Sequence, residues 1–204
     1  MTDAELLAEY SARRDEILAP LADKLSEHLR DNLAGLPRID RVSARAKSPD
    51  RFLAKAAKAR EDGSRKYEHP FEQIQDLVGA RVIVFYLQDV EAVTSEIDRY
   101  YSRIEIQDLI PESLSEFGYV GKHFILSVPD DLIQDQHATK TPKFFELQIK
   151  TLFQHAWSEA EHELAYKPPE PLTQLQRRQV AFTAAQAWGA DQIFSQLHGE
   201  LGEG

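Results

Sequence analysis

The chain has 204 residues, 42% of them hydrophobic, a formal net charge of −10 and no cysteine. That content supports one core of real size, and the missing cysteines exclude disulfides, thiolate metal sites and cysteine nucleophiles. Net acidity argues against general nucleic-acid binding, no run reaches the length of a membrane span, and the acidic start Met1-Thr2-Asp3-Ala4-Glu5 is unlike a signal peptide, so a soluble, cytoplasmic protein is expected.

Residues 3–34 carry Leu6, Leu7, Tyr10, Ile17, Leu18, Leu21, Leu25 and Leu29 at helical spacing, with Pro20 set to kink or split the helix and Gly35 and Pro37 to end it. A first strand is read at Ile39–Ala46. Ser48-Pro49 reads as an N-cap followed by proline at the first helical position, opening a helix to about residue 60. Gly79–Tyr86 is nearly all apolar and reads as a central strand covered on both faces. A helix over 88–101, strands at Arg103–Leu109, Lys122–Val128 and Phe144–Ile149, and a helix over 151–166 follow. Pro168, Pro169 and Pro171 then set off a last helix over about 172–198, free to pack on the domain or on another subunit, with a frayed tail. The order predicts an α+β fold, a five-stranded mixed sheet flanked by helices. It divides into a helical segment 1–38, a core 39–167 and a C-terminal helix 168–204.

Charge is unevenly spread. Residues 38–66 hold ten Lys/Arg against four acids, a local +6 in a chain whose remainder is −16. A concentrated basic block in an acidic protein points to an anion site. Arg45 and Lys47 alternate on the strand end, and Arg51, Lys55 and Lys58 fall at i, i+4, i+7 of the following helix, a stripe able to clamp phosphates. No Gly-x-x-x-x-Gly-Lys-Ser/Thr loop is present. In Phe145–Ile149 the apolar Phe145, Leu147 and Ile149 alternate with Glu146, Gln148 and Lys150, which places an acid, an amide and a base in a row on one face. Asp76 precedes the Gly79 strand and, with Glu146, can share a hard cation such as Mg²⁺, while Arg81 adds a cation beside that pair. Tyr119, next to Gly118, can offer its ring to a base, and His123 follows four residues on. His155, Glu159 and His162 share a helical face but lack the His-Glu-x-x-His spacing of zinc helices. That face is read as lining the pocket beside Glu146, with Trp157, Ala160 and Leu164 toward the core.

These motifs together resemble the synthetase domain of the RelA/SpoT alarmone family, and most of all its small single-domain members. The carrying elements are Arg45-x-Lys47 with Lys55, Asp76-Leu-Val-Gly-x-Arg81, Gly118-Tyr119-x-x-x-His123, Glu146-x-Gln148-Ile149-Lys150-Thr151 and His155-Ala-Trp157-x-Glu159, in order across residues 39–167. The resemblance implies a nucleotidyltransferase-like fold and transfer of pyrophosphate from ATP to the 3′-hydroxyl of GDP or GTP, giving (p)ppGpp and AMP. It implies Mg²⁺ on Asp76 and Glu146, with Glu146 also taking the 3′-hydroxyl proton. It further implies ATP held by Arg45, Lys47, Lys55, Lys58 and Arg81, and an acceptor nucleotide met by Tyr119, His123, Gln148, Lys150 and His155.

Departures from the family pattern fall on the acceptor side: Phe117 before Gly118-Tyr119 in place of asparagine, Ser115 and Glu116 where a lysine is common, Gly121 in place of serine, and Lys150 in place of arginine. A toxic branch of the family, acting on the 3′-end of tRNA or on adenosine nucleotides, is therefore an alternative, with a tRNA or antitoxin partner. Lys122, Lys140, Lys143, Arg177 and Arg178 are the candidate tRNA contacts. A catalytically silent nucleotide-binding regulator is the alternative of another class. The lack of a His-Asp dipeptide and of a long N-terminal extension speaks against an alarmone hydrolase domain. The terminal helices offer surfaces for a homo-oligomer.

Overall fold

A computed structural model describes residues 2–108, 118, 119, 121–165 and 170–202. The loop positions Pro111, Ser115, Glu116 and Phe117, and Tyr166, Lys167, Pro168 and Pro169, lie outside the described residues.

The elements are α1 (Asp3–Arg13), α2 (Ala19–Asn32), β1 (Ile39–Ala46), α3 (Pro49–Ala56), α4 (Pro70–Gln73), β2 (Val78–Val84), α5 (Leu87–Tyr100), β3 (Arg103–Asp108), β4 (Lys122–Ser127), β5 (Phe144–Thr151), α6 (Leu152–Ala165) and α7 (Gln174–Gly202). The five strands form one mixed sheet in the order β1-β2-β5-β4-β3, with β2 and β5 parallel and the other pairs antiparallel. The expected five-stranded sheet is present. Its middle strand is β5, with β2 beside it, so the alternating Phe145–Ile149 segment lies at the heart of the sheet.

Period-2 alternation divides the sheet into two faces. Val42, Ala80, Val82, Phe124, Leu126, Phe145, Leu147 and Ile149 point into one apolar core with Leu21, Leu25 and Leu29 of α2, Phe52 of α3 and Val93 and Ile97 of α5. The N-terminal helices thus share the sheet's core. The opposite face carries Ser43, Arg45, Arg81, Glu146 and Gln148.

Residues 3–32 run as one helical rod with a widened π-turn at Arg14–Leu18, where the Ala19 N–H reaches the Arg14 carbonyl. Pro20 follows at once. Its ring crowds the preceding turn and supplies no N–H, and the chain accommodates this by widening the turn instead of breaking the helix.

Several boundaries differ from the sequence reading. Ser48 holds the extended N-cap conformation, but its side chain makes no cap bond. α3 stops at Ala56, and a loop closed by an Ala59–Arg65 bridge follows. The expected frayed tail is helical to Gly202. Leu164, expected toward the core, is exposed, and Trp157 turns its indole N–H to Val180 and Thr183 of α7. Among the described residues no helix is long and apolar enough to cross a membrane.

Candidate active site

The polar sheet face opens into a cleft of about 540 Å³ lined by β1, the start of α3, the approach to β2 and the middle of β5. Register builds it. Arg45 pairs with Gly79 and Gly79 with Glu146. One step along, Ser43 pairs with Arg81, Arg81 with Gln148 and Gln148 with His123. Gly79 places no side chain between Arg45 and Glu146, which leaves a trough across the row. Five cations (Arg14, Arg45, Lys47, Arg51, Arg81) face two carboxylates (Asp76, Glu146) around this space. Such a balance suits a polyanion that brings its own counter-cation.

Asp76 stands between two lysines: Lys47 Nζ and Lys55 Nζ each reach its Oδ2 at 2.8 Å. Burial pushes the carboxyl up, but the two ammonium groups outweigh it and hold Asp76 below its ordinary range. Its other oxygen, Oδ1, is buried with no hydrogen-bond partner.

Glu146 is held from both sides. His123 Nδ1 lies 3.1 Å from its Oε1, and Gln148 Nε2 donates to its Oε2 at 3.3 Å. Burial again raises the carboxyl and the His123 bond outweighs it, so Glu146 stays ionised at neutral pH. With Nδ1 donating to the carboxylate, a neutral His123 ring leaves Nε2 as an acceptor. That atom and Gln148 Oε1 are also buried without partners. Six buried side-chain atoms lack a partner among the described residues, and Arg14 Nε, Asp76 Oδ1, His123 Nε2 and Gln148 Oε1 belong to this region. Native proteins leave few such atoms, so a cluster at one cleft is what a polar ligand would satisfy.

Arg81 reaches α6, where its Nη1 donates to Glu159 Oε1 at 2.8 Å and lies 3.2 Å from His155 Nδ1. Burial and the neighbouring guanidinium lower the His155 imidazole, so it meets Arg81 as a neutral acceptor. The polar face of α6 therefore anchors a cleft cation, in keeping with its reading as pocket-side.

Asp76, Glu146, Arg45, Lys47, Lys55, Arg81, His123, Gln148 and His155 are brought together. Lys58 is not. It lies beyond the end of α3, exposed, so the expected i, i+4, i+7 stripe stops at Lys55. Lys150 shares the Glu146 face, but it is buried and its Nζ donates to Ser158 Oγ at 2.8 Å. Burial, with the Arg81 charge, lowers the ammonium to about 8. Tyr119 is only 7% exposed, and its hydroxyl donates to Asp191 Oδ2 of α7. The free stacking platform expected of Tyr119 is not offered in this arrangement, because the residue is buried and its hydroxyl is tied to α7. Lys122, read as a tRNA contact, is paired with Glu91 at 2.6 Å.

Sequence reasoning missed Arg14 and Asp191. Both come from helices at the ends of the chain, and neither sits in a motif. The residues present fit a hard cation: two ionised carboxylates face one cleft, one with an unpartnered oxygen. Mg²⁺ is commonly held by one or two carboxylates plus substrate phosphates.

The sequence model of the family described as the region found in RelA / SpoT proteins matches residues 44–170. GTP pyrophosphokinase YjbM of Bacillus subtilis (strain 168) is 24% identical over 137 residues, 66% of this chain and 63% of that protein. GTP pyrophosphokinase YwaC of the same organism is 26% identical over 98 residues, 47% of this chain and 44% of that protein. The chain thus spans less than two thirds of the length of these curated relatives. Among solved structures, smu.1046c from Streptococcus mutans UA159 superposes with a TM-score of 0.71 at 25% identity, over 92% of this chain and 97% of that one. Small alarmone synthetase 1 from Bacillus subtilis superposes with a TM-score of 0.71 at 22% identity over 98% of each chain, a likeness of fold.

Proposed function

Because this chain belongs to the RelA/SpoT family, we propose that it is an alarmone synthetase, transferring pyrophosphate from ATP to the 3′-hydroxyl of GDP or GTP. The observation that carries the reading is the cleft itself: Asp76 and Glu146, both ionised, face Arg45, Lys47, Arg51 and Arg81 beside unpartnered buried oxygens. The names of the two Bacillus relatives support the same chemistry.

The acceptor 3′-oxygen attacks the β-phosphorus of ATP, the bond from that phosphorus to the α–β bridging oxygen breaks, and AMP leaves with that oxygen. Lys47, Lys55 and Arg81 hold the donor phosphates, and Arg45 packs on its base. Glu146, oriented by His123 and Gln148, takes the proton of the 3′-hydroxyl. Asp76 and Glu146 would hold Mg²⁺, which when bound offsets charge on the transferring phosphoryl groups. His123 Nε2 and Gln148 Oε1, both without a partner, hold the acceptor sugar and base in this reading. Stacking of an acceptor base on Tyr119 belongs to this reading only with α7 displaced. The second reading, a toxin acting on tRNA or an adenosine nucleotide with an antitoxin partner, shares the donor chemistry.

The test is product analysis. Full-length protein with Mg²⁺ and ATP labelled in its β-phosphate should release AMP and label GDP or GTP. Label on tRNA or ADP instead would move the protein to the toxic branch. ATP binding without AMP release on any acceptor would make it a silent regulator.

A further inference from the structure

Tyr10 docks α1 on the donor side of the cleft. Tyr10 is fully buried, its ring stacked on Phe52 of α3 with centroids 3.9 Å apart and planes 6° from parallel. Its hydroxyl donates to the Lys47 carbonyl at 2.8 Å. Tyr10 therefore ties the N-terminal helix to the backbone of a cleft cation. Arg14 lies four residues on, one helical turn along the same face. It opens the π-turn, a feature often found at functional sites, and its side chain lines the cleft with Arg45, Lys47, Arg51 and Asp76.

Its bonding is incomplete. Nη1 pairs with the neighbouring Asp15 at 2.8 Å, but the Asp15 side chain is 72% exposed. Such a surface pair does little to hold a guanidinium. Nε is buried and has no partner. Nε and Nη2 form one edge of the guanidinium, and two parallel N–H groups on that edge match two oxygens of a phosphate. The edge is left to a cleft whose other cations already favour a polyanion. The family match begins at residue 44, so this arginine lies outside the residues that the family's sequence model matches.

We propose that Arg14 is a donor-binding residue, its Nε–Nη2 edge gripping the phosphate chain of ATP and closing the cleft from the N-terminal helix. The proposal rests on the donor-cleft reading above and adds a binding residue to it.

The experiment is titration of the full chain with Mg²⁺ and a non-hydrolysable ATP analogue, and separately with AMP. It compares wild type, Arg14→Ala, Arg14→Lys and Lys55→Ala. Arg14→Ala should weaken the ATP analogue about 10-fold or more. AMP should bind as in wild type, because the lost contact lies beyond the α-phosphate. Arg14→Lys, which keeps the charge but not the fork, should fall between. Should Arg14→Ala fold poorly by thermal melting, Arg14→Lys alone is read, and wild-type affinity for the analogue would overturn the proposal. Unchanged analogue binding in Arg14→Ala beside a loss in Lys55→Ala overturns the role of Arg14 and leaves the donor cleft standing. Equal losses for AMP and the analogue overturn it too, since the effect would then lie on the adenosine or on the fold. If the wild-type protein binds neither ligand, the donor reading falls and this proposal falls with it.

Discussion

The Tyr119 hydroxyl donates to Asp191 Oδ2 across 2.5 Å, and Thr151 at the end of β5 donates to the same oxygen. The end of β5, the segment leading into β4 and the last helix are thereby joined at one buried carboxylate. α7 buries little else: of its 29 residues only Ala184 and Asp191 are buried, while Leu175, Phe182, Ile193, Phe194, Leu197 and Leu201 remain exposed. Asp191→Ala removes the acceptor of two buried hydroxyls, which costs about 1–3 kcal/mol. Melting should drop by roughly 2–12 °C for a domain of this size.

Asp191→Asn should behave differently, and pH separates the two. Burial raises the Asp191 carboxyl above its ordinary value of about 3.9. A carboxyl raised by folding binds more protons in the native state than in the unfolded one, so its contribution to stability falls as pH rises from about 4 through the folded value. The amide accepts the same hydroxyls without ionising. The stability of Asp191→Asn relative to wild type should therefore climb across that window, and Asp191→Ala should stay below wild type throughout. Chemical denaturation at several pH values measures both. A flat difference between Asp191→Asn and wild type would mean that Asp191 titrates normally.

Asp76→Asn and Glu146→Gln should abolish AMP release while leaving the circular dichroism of the fold unchanged. Both changes remove a negative charge that would hold Mg²⁺ beside the transferring phosphoryl groups, and Glu146→Gln also removes the base for the 3′-hydroxyl proton. They differ in what they leave behind. Asp76→Asn unpairs Lys47 and Lys55, so its melting temperature should fall further than that of Glu146→Gln, whose amide oxygen still accepts from His123 and whose nitrogen can donate to Gln148 once that amide flips. Near-normal turnover in either variant would end the assignment of that carboxylate.

Gly121 stands where the family resemblance leads one to expect serine, and the geometry accounts for a glycine here. A Cβ built on it would lie 2.2 Å from the Ile149 carbonyl oxygen and 2.5 Å from the Lys150 side chain. The backbone neighbour cannot yield cheaply. Gly121→Ser or Gly121→Ala should destabilise by about 1–3 kcal/mol, as overpacking does, instead of restoring a family feature. An unchanged denaturation midpoint would show that β4 can shift away from β5.

The parts legible in the sequence were those set by short-range period. Alternation placed Glu146 and Gln148 opposite Leu147 and Ile149, and the i, i+4 spacing of His155 and Glu159 brought both to Arg81. The stripe through Lys58 failed because helix length is decided by what the chain does next, and the Ala59–Arg65 bridge ends α3 early. Tyr119 misled for another reason. A tyrosine beside a glycine looks exposed until a residue 72 positions away accepts its hydroxyl, and no local pattern marks Asp191 as that partner. Arg14 was invisible in the same way, since its place depends on Tyr10 docking and on a π-turn that hydrophobic spacing does not register.

Lys150 tests whether a site residue is kept at a cost in stability. It is 4% exposed, and burial together with Arg81 brings its ammonium down to about 8. The unfolded value is near 10.4, so the unfolded chain holds the proton more tightly. Below about pH 8 both states are charged and the full penalty applies. As pH rises from 8 to about 10.4 the native lysine loses its proton first, and wild-type stability should gain. Lys150→Met keeps the length of the side chain and removes the charge. Ser158 then retains its own bond to the His155 carbonyl, so no hydroxyl is orphaned. Lys150→Met should melt higher than wild type at pH 7, the advantage should shrink through pH 8–10, and AMP release should fall. The lost row of acid, amide and base on β5 would be the cause of that last effect. A variant that is no more stable at pH 7 would show that the Ser158 bond fully offsets the burial of the charge, and undiminished turnover would remove Lys150 from the acceptor site.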